Sequence, residues 1–249
     1  MEESSNSGDL LPTRDAPQSV TWTKWDLLWS IGLAVVSVAG LLLILFAGLV
    51  LYRLVTGLEA PQSTLGFLTL IAELGLLVPV WALGVRKYRL SWAHIGFRRF
   101  SMPRGLSLGC LFLLLSLGAS CLWSIFLSVF GQRTQPDLLP MFGQGIGGLS
   151  LALLAGGVVA PLAEEAFFRG YLFAGLRQHL GYVPATLLSA ALFALAHILP
   201  TSWPPIFVLG VLFAVLYEQT RSVWPAVLVH SAINTLAFLS SYLLTTVQH

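Results

Sequence analysis

The chain has 249 residues, of which 56% are hydrophobic and only 10% are charged. An ordinary soluble domain carries about 25% charged residues, so this composition excludes a typical soluble protein. It indicates an all-α fold, a polytopic bundle of membrane helices. The formal net charge of +2 comes without a basic stripe interleaved with aromatic residues, so we expect no nucleic-acid partner.

The amino-terminal residues 1–23 are polar and proline-containing, and they predict a disordered cytoplasmic tail. This segment lacks the basic start of a signal peptide, and the apolar run that follows is too long for one. Trp22, Trp25 and Trp29 precede and open the first apolar run. Because tryptophan concentrates where lipid headgroups meet the hydrocarbon, we expect these three residues to form an interfacial belt.

Apolar windows of about 20 residues predict seven membrane spans, and the shortness of the fifth and sixth leaves an eighth open. Residues 24–130 would form the amino-terminal transmembrane helices, and residues 131–249 would form the helical core of the same bundle. The spans cover residues 27–52, 63–85, 105–130, 147–177, 183–199, 205–217 and 223–244.

Basic residues predict how the spans are oriented. The loop 86–104 carries six of the 13 Lys and Arg residues, and the positive-inside rule places it in the cytoplasm. Threading seven spans from this loop brings Arg14, Lys24, Arg177 and Arg221 to the same side. The sequence therefore predicts an integral multi-pass protein of a prokaryotic plasma membrane or an organelle membrane, with a cytoplasmic amino terminus.

The fourth span contains two adjacent carboxylates and an arginine. Charged side chains at this depth cost several kcal/mol unless they are paired, hydrated or turned toward the protein interior. Glu165 and Arg169 are four residues apart on one helix, so we expect them to form an ion pair. Glu164 points about 100° away from Glu165, toward a different neighbour. One carboxylate is thus predicted to be paired, and the other is free for chemistry.

Two further spans bring polar groups to a similar depth. At 1.5 Å per residue, Glu164 and His197 each lie about 20 Å from the cytoplasmic ends of their spans, and His230 and Asn234 lie about 10–16 Å from theirs. His230 and Asn234 share a helix face and can offer two hydrogen-bond donors to one oxygen. Phe193 lies four residues before His197, so its ring can pack beside the imidazole. This convergence predicts a site between helices.

Other interpretations of these polar groups remain open. Hydrogen bonds between membrane helices, at about 0.6 kcal/mol each, can simply hold a bundle together. Glu164, His197 and His230 could form a zinc site, although there is no His-Glu-x-x-His and we expect no cofactor. A proton-coupled transporter would also use membrane Glu and His residues, but no inverted repeat is visible. Glu73, in the second span, has no motif around it and is expected to be structural.

Three patterns in order on apolar helices resemble the motifs of the CPBP (also called ABI) family. This family includes the type II CAAX prenyl endopeptidases and the bacteriocin-processing or self-immunity proteins. The similarity covers about residues 161–236, while the first 130 residues carry no motif of the family. The patterns are Glu164-Glu165-x-x-x-Arg169, Phe193-x-x-x-His197 and His230-x-x-x-Asn234.

The resemblance implies an intramembrane glutamic endopeptidase without a metal. Glu164 would be the general base that activates water, with His197 helping to hold that water. His230 and Asn234 would form the oxyanion hole.

The same resemblance implies supporting roles and partners. The pair Glu165 and Arg169 and the ring of Phe193 would support the catalytic residues. The partners would be the lipid bilayer and a membrane-associated peptide or protein substrate, with CAAX-type processing of a lipidated peptide as one form. A non-enzymatic immunity or scaffold role within the same family stays open.

Overall fold

The computed structural model describes residues 22–134, 137–197 and 199–247, which form an all-α membrane bundle. Residues 1–21 of the predicted amino-terminal tail lie outside this part of the chain. Six of the seven helices are long and apolar enough to cross a membrane, and α5 is a shorter apolar helix, so the predicted polytopic bundle is confirmed. The helices are α1 Lys24–Thr56, α2 Ser63–Arg86, α3 Met102–Val129, α4 Gly145–Leu180, α5 Tyr182–Ala196, α6 Trp203–Thr220 and α7 Trp224–Val247.

Helix α4 is the centre of the bundle. It is the most buried of the six long helices, whereas α1 is the least buried. Helices α2, α5, α6 and α7 pack against α4, while α3 packs against α6 and α7. The two parts inferred from the sequence, residues 24–130 and 131–249, therefore share one interface. The carboxylates of α4 are consequently carried into the interior and away from lipid.

Two π-helical stretches interrupt α4, one on each side of the turn that carries the carboxylates. They are Ala155–Val159 and Ala166–Phe173, with the α-helical turn Ala160–Glu165 between them. Pro161 contributes to the first, since a proline has no amide hydrogen to donate to the carbonyl four residues earlier. Such π-bulges inside α-helices occur frequently at functional sites. The widened turns set the directions in which the carboxylates and Arg169 point.

Glycines allow close approach of elements around α4. A Cβ atom on Gly210 of α6 would lie 2.9 Å from the Cα atom of Ala190 on α5. A Cβ atom on Gly170 would lie 2.2 Å from the carbonyl oxygen of Ile95, in the turn Trp92–Ile95. Any side chain at either position would push these elements apart.

Several of the basic residues threaded to one side from the sequence lie at one end of the bundle, whereas Arg14 lies outside the described residues. The Nζ atom of Lys87 lies 2.5 Å from Asp26, at the start of α1, and this hydrogen bond raises the pKa of Lys87. Arg177 and Arg221 both contact Glu218, at 3.1 and 2.9 Å. The beginning of α1, the loop after α2, the end of α4 and the α6–α7 turn therefore lie together.

The beginning of the chain differs from the prediction at Trp22. Trp25 and Trp29 are each 70% exposed, as expected for an interfacial belt, but Trp22 is only 1% exposed. Its Nε1 atom donates to the carbonyl of Gly84 at 3.1 Å, and its ring packs edge-on against Tyr171. Trp22 is thus a core residue that ties the start of α1 to α2 and α4, so the predicted disordered tail is wrong at residue 22.

Candidate active site

The buried core of the site is the ion pair between Glu165 and Arg169. An Arg169 nitrogen lies 3.1 Å from Oε1 of Glu165, and both side chains are 0% exposed, so the predicted pair is confirmed. Another Arg169 nitrogen donates to the carbonyl of Gly210 at 3.3 Å. The guanidinium also lies 4.1 Å from the ring centroid of Phe193 and 5.0 Å from that of Phe213. A buried charge needs this kind of enclosure by an opposite charge, an acceptor and ring faces.

His230 connects α7 to both carboxylates of α4. Its Nδ1 atom lies 3.1 Å from Oε1 of Glu165, and its Nε2 atom lies 3.8 Å from Oε2 of Glu164. A neutral imidazole donates through one nitrogen, whereas an imidazolium donates through both. The ring is therefore held by Glu165 on one side and presents its second nitrogen to Glu164.

Glu164 has fewer close partners than Glu165. Its side chain is 12% exposed, against 0% for Glu165, and its Oε2 atom is buried without a hydrogen-bond partner. Its nearest recorded ionic contact is the 3.8 Å approach to His230. The helical rotation between adjacent residues thus separates the two carboxylates as the sequence predicts.

His197 lies directly after α5 and is not inside a helix, so the predicted span through residue 199 is wrong at its end. The helix ends at Ala196, and His197 has extended backbone angles (φ −85°, ψ 127°). Pro200 accounts only for Leu199, the residue before it, which is extended (φ −95°, ψ 108°) because a proline disfavours helical conformation in its predecessor. With its 15 residues, α5 extends about 22 Å. This is shorter than the hydrocarbon layer of about 30 Å, so a helix of this length that begins at one membrane surface would end within the layer.

The hydrogen bonds of His197 define its tautomer. Its Nδ1 atom lies 2.8 Å from the carbonyl oxygen of Phe193, which can only accept a hydrogen bond. Nδ1 therefore carries the hydrogen, and Nε2 keeps a lone pair. The Nε1 atom of Trp203 donates to the carbonyl of His197 at 2.7 Å and holds the turn after α5.

Phe193 lies between the two imidazoles. Its ring centroid is 5.0 Å from that of His197 and 6.0 Å from that of His230, both edge-on. The packing against His197 agrees with their four-residue spacing. The contacts with His230 and Arg169 could not be predicted, because they cross from α5 to α7 and α4.

Asn234 makes a contact that its four-residue spacing from His230 does not predict. Its Nδ2 atom donates to the carbonyl of Gly156 at 2.7 Å, in the first π-helical stretch of α4. The carboxamide nitrogen carries two hydrogens, so one remains for another acceptor. In this structure Asn234 therefore also connects α7 to α4.

Two residues near the site were missed as functional candidates by sequence reasoning. Phe213 of α6 packs against His230 with a centroid distance of 5.3 Å, and nothing in the sequence marks it. Glu73 of α2 lies near enough to Glu164 for their charges to interact, and its Oε2 atom is buried without a hydrogen-bond partner. The sequence signal that could have identified Glu73 is the presence of a carboxylate within an apolar span.

In the described residues, the structure does not bring together the side chains that a zinc site would need. Across residues 22–134, 137–197 and 199–247, no three or more His, Cys, Asp or Glu side chains are grouped so that they could hold a metal ion. The set Glu164, His197 and His230 is thus not arranged around one point in this structure.

Comparison with known proteins agrees with the motif pattern. Residues 146–236 match the family model described as Type II CAAX prenyl endopeptidase Rce1-like. The predicted family resemblance is confirmed over this region. The match covers less than half of the chain, but it includes every candidate residue from Glu164 to Asn234.

One curated relative adds to this similarity. The chain is 27% identical over 136 residues to the Bacillus subtilis (strain 168) protein named "Putative membrane peptidase YdiL". The aligned region covers 48% of the chain and 56% of that protein, so it spans only about half the length of the relative. No solved structure matches the chain.

Proposed function

We propose that the protein is an intramembrane endopeptidase that hydrolyses a peptide bond with a water molecule activated by Glu164. The observation that carries the proposal is the relation of Glu164 to His230. Oε2 of Glu164 and Nε2 of His230 are 3.8 Å apart, in a region that is similar to a family of endopeptidases. The neighbouring Glu165 is occupied by Arg169, which leaves Glu164 as the carboxylate for proton transfer.

Glu164 acts as the general base in this proposal. It takes a proton from water while the water oxygen bonds to the carbonyl carbon of the substrate. His197 presents an Nε2 lone pair, because its Nδ1–H is donated to the carbonyl of Phe193. That lone pair can accept the second hydrogen of the water and so orient it. When the C–N bond breaks, Glu164 passes its proton to the leaving amine.

His230 and Asn234 stabilise the negative charge that forms on the substrate oxygen. His230 offers Nε2–H in its protonated form, and Asn234 offers the carboxamide hydrogen that is not donated to Gly156. One such donor lowers the activation free energy by about 3 kcal/mol. No metal takes part in this mechanism.

The proposed substrate is a peptide or protein associated with the membrane. The family match suggests a lipidated CAAX-type peptide as the finer class. We place the cleaved bond near the cytoplasmic surface, because the end of the bundle rich in basic residues is expected to face the cytoplasm.

The test compares membrane proteomes of cells with the wild-type protein and with Glu164→Ala or Glu164→Gln. We expect both variants to lose cleavage, so that uncleaved substrates accumulate. A matched control is Glu59→Gln, since Glu59 is exposed and pairs only with the exposed Arg53. Full biological activity in both Glu164 variants would contradict the mechanism and favour a scaffold or immunity role. Loss of activity after exhaustive chelation would instead support the zinc alternative.

A further inference from the structure

A third carboxylate, Glu73 of α2, faces the candidate active site. Helix α2 packs against the turn Ala160–Glu165 of α4, which carries Glu164. The Oε2 atoms of Glu73 and Glu164 are both buried, and neither has a hydrogen-bond partner. The packing of α2 on this turn thus brings Glu73 close enough to Glu164 for the charge of one to act on the other.

The charges around the two residues are unequal. Glu164 faces His230 at 3.8 Å and also interacts with the charge of Arg169. Arg169 in turn is bound to Glu165 at 3.1 Å. In the described part of the chain, Glu73 forms no ion pair.

Two carboxylates buried together cannot both be ionised without a large free-energy cost, so such a pair retains one proton. Glu164 has a cationic neighbour in Arg169, which favours its charged form. Glu73, which forms no ion pair among the described residues, lacks this advantage. The proton therefore belongs on Glu73.

We propose that Glu73 is a positioning residue for Glu164 that shares one proton with it. The neutral carboxyl group of Glu73 donates this proton in a hydrogen bond toward the Glu164 carboxylate, directly or through a water molecule. It thereby orients Glu164 and keeps it ionised as the base. This proposal rests on the proposed role of Glu164 in peptide hydrolysis, and it adds a residue from α2 to a site otherwise built from α4, α5 and α7.

The proton sharing predicts a particular dependence on pH. Glu73 and Glu164 support the reaction when the two carboxyl groups together hold one proton. At low pH Glu164 also becomes protonated and loses its function as a base. At high pH Glu73 loses its proton, and the hydrogen bond to Glu164 is replaced by repulsion between two negative charges. Deprotonation of His230 also lowers activity at high pH, so a purely structural Glu73 would leave the alkaline limb the same in its variants.

The first experiment needs no substrate. Infrared spectra of the full chain in lipid vesicles measure protonated carboxyl groups as the pH is raised. We expect a band that disappears in Glu73→Gln, and whose titration midpoint falls by about one pH unit or more in Glu164→Gln, because the repulsion is removed. Glu59→Gln is the matched control and should leave the band unchanged.

Two results would overturn the proposal at this stage. One is a band that persists in Glu73→Gln, and the other is a midpoint that Glu164→Gln does not move. If Glu73→Gln does not fold, Glu73→Asp serves instead, since it keeps a titratable group with a shifted midpoint. An unshifted midpoint in Glu73→Asp would equally contradict the assignment of the band to Glu73.

The second experiment measures kcat/KM against pH, with a substrate identified by the Glu164 comparison. We expect a bell-shaped profile for the wild type. Glu73→Gln should keep substantial activity and the acid limb, because glutamine is always neutral and can still donate, but its alkaline limb should move to the one set by His230 alone. Glu73→Leu should lose at least about tenfold in kcat with little change in KM. An alkaline limb that is unchanged in Glu73→Gln would refute the positioning role.

The two experiments separate this proposal from the proposed function. If the titration midpoint of the Glu73 band shifts in Glu164→Gln but the Glu164 variants retain proteolysis, the two carboxylates share a proton and the protease mechanism is wrong. If Glu164 is required for proteolysis but the midpoints are independent, the mechanism stands and the role of Glu73 fails.

Discussion

The Nδ1 atom of His230 lies 3.1 Å from Oε1 of Glu165. Glu165 therefore binds both the guanidinium of Arg169 and the imidazole of His230, and it joins α7 to the centre of α4. The supporting carboxylate does more than neutralise an arginine, because it also sets the orientation of a ring whose other nitrogen faces Glu164. This arrangement leads to predictions about activity, stability and topology.

Replacing His230 should reduce turnover far more than it reduces substrate binding. We expect His230→Leu to lower kcat by about 10²–10³-fold, the usual loss when one oxyanion donor is removed. The measurement is the rate of cleavage of a substrate identified through Glu164 variants. His94→Leu is the control, since His94 lies in the turn Trp92–Ile95 and bonds only to Ser91. Wild-type kcat in His230→Leu would contradict a role in the reaction.

Breaking the buried ion pair should strongly destabilise the bundle. Arg169→Met leaves the Glu165 carboxylate with its charge buried and its main partner removed. The expected loss is about 3–5 kcal/mol in the free energy of unfolding. Thermal or denaturant unfolding of the purified protein in detergent measures this effect.

An exposed pair provides the control for the ion-pair prediction. Arg53 and Glu59 form a bridge at 2.9 Å with side chains that are 68% and 76% exposed. Solvent screens such a pair, so Arg53→Met should change stability by less than about 1 kcal/mol. Equal effects of Arg53→Met and Arg169→Met would show that burial of the Glu165–Arg169 pair has no energetic importance.

Substitution of glycines should distinguish crowded from open positions. Gly210→Ala should lower the unfolding temperature, because the added methyl group would lie 2.9 Å from the Cα atom of Ala190. Gly118→Ala in α3 meets no atom within 4 Å and should be neutral or stabilising by about 0.4–1 kcal/mol. Unfolding temperatures measured side by side in one detergent test this difference. A stabilising Gly210→Ala would contradict the close α5–α6 packing.

Accessibility of engineered cysteines should reveal the orientation. In a background of Cys110→Ser and Cys121→Ser, the single variants Arg99→Cys and Arg133→Cys place exposed thiols on loops expected at opposite membrane surfaces. An impermeant maleimide applied to intact cells should label Arg133→Cys alone, and permeabilisation should expose Arg99→Cys. Labelling of Arg99→Cys in intact cells would reverse the topology.

Hydrophobicity and helical spacing were sufficient for the features that depend on local chain geometry. The seven helices follow from apolar windows, since backbone groups in lipid must be satisfied within a helix. The Glu165–Arg169 pair follows from a four-residue spacing on one helix. The same reasoning failed at His197, because a window of apolar residues does not show at which residue a helix ends.

Contacts between helices that are far apart in sequence could not be predicted from local sequence patterns. The sequence predicts that Trp22 is interfacial, whereas in the folded protein it packs against α2 and α4. Asn234 and Glu73 have partners that are far away in sequence, Gly156 and Glu164, and no spacing rule connects them. Periodicity and charge along the chain account for which residues enter the membrane interior together. The packing of α2, α5 and α7 on α4 sets which carboxylate meets which imidazole, because those distances depend on how separate helices cross.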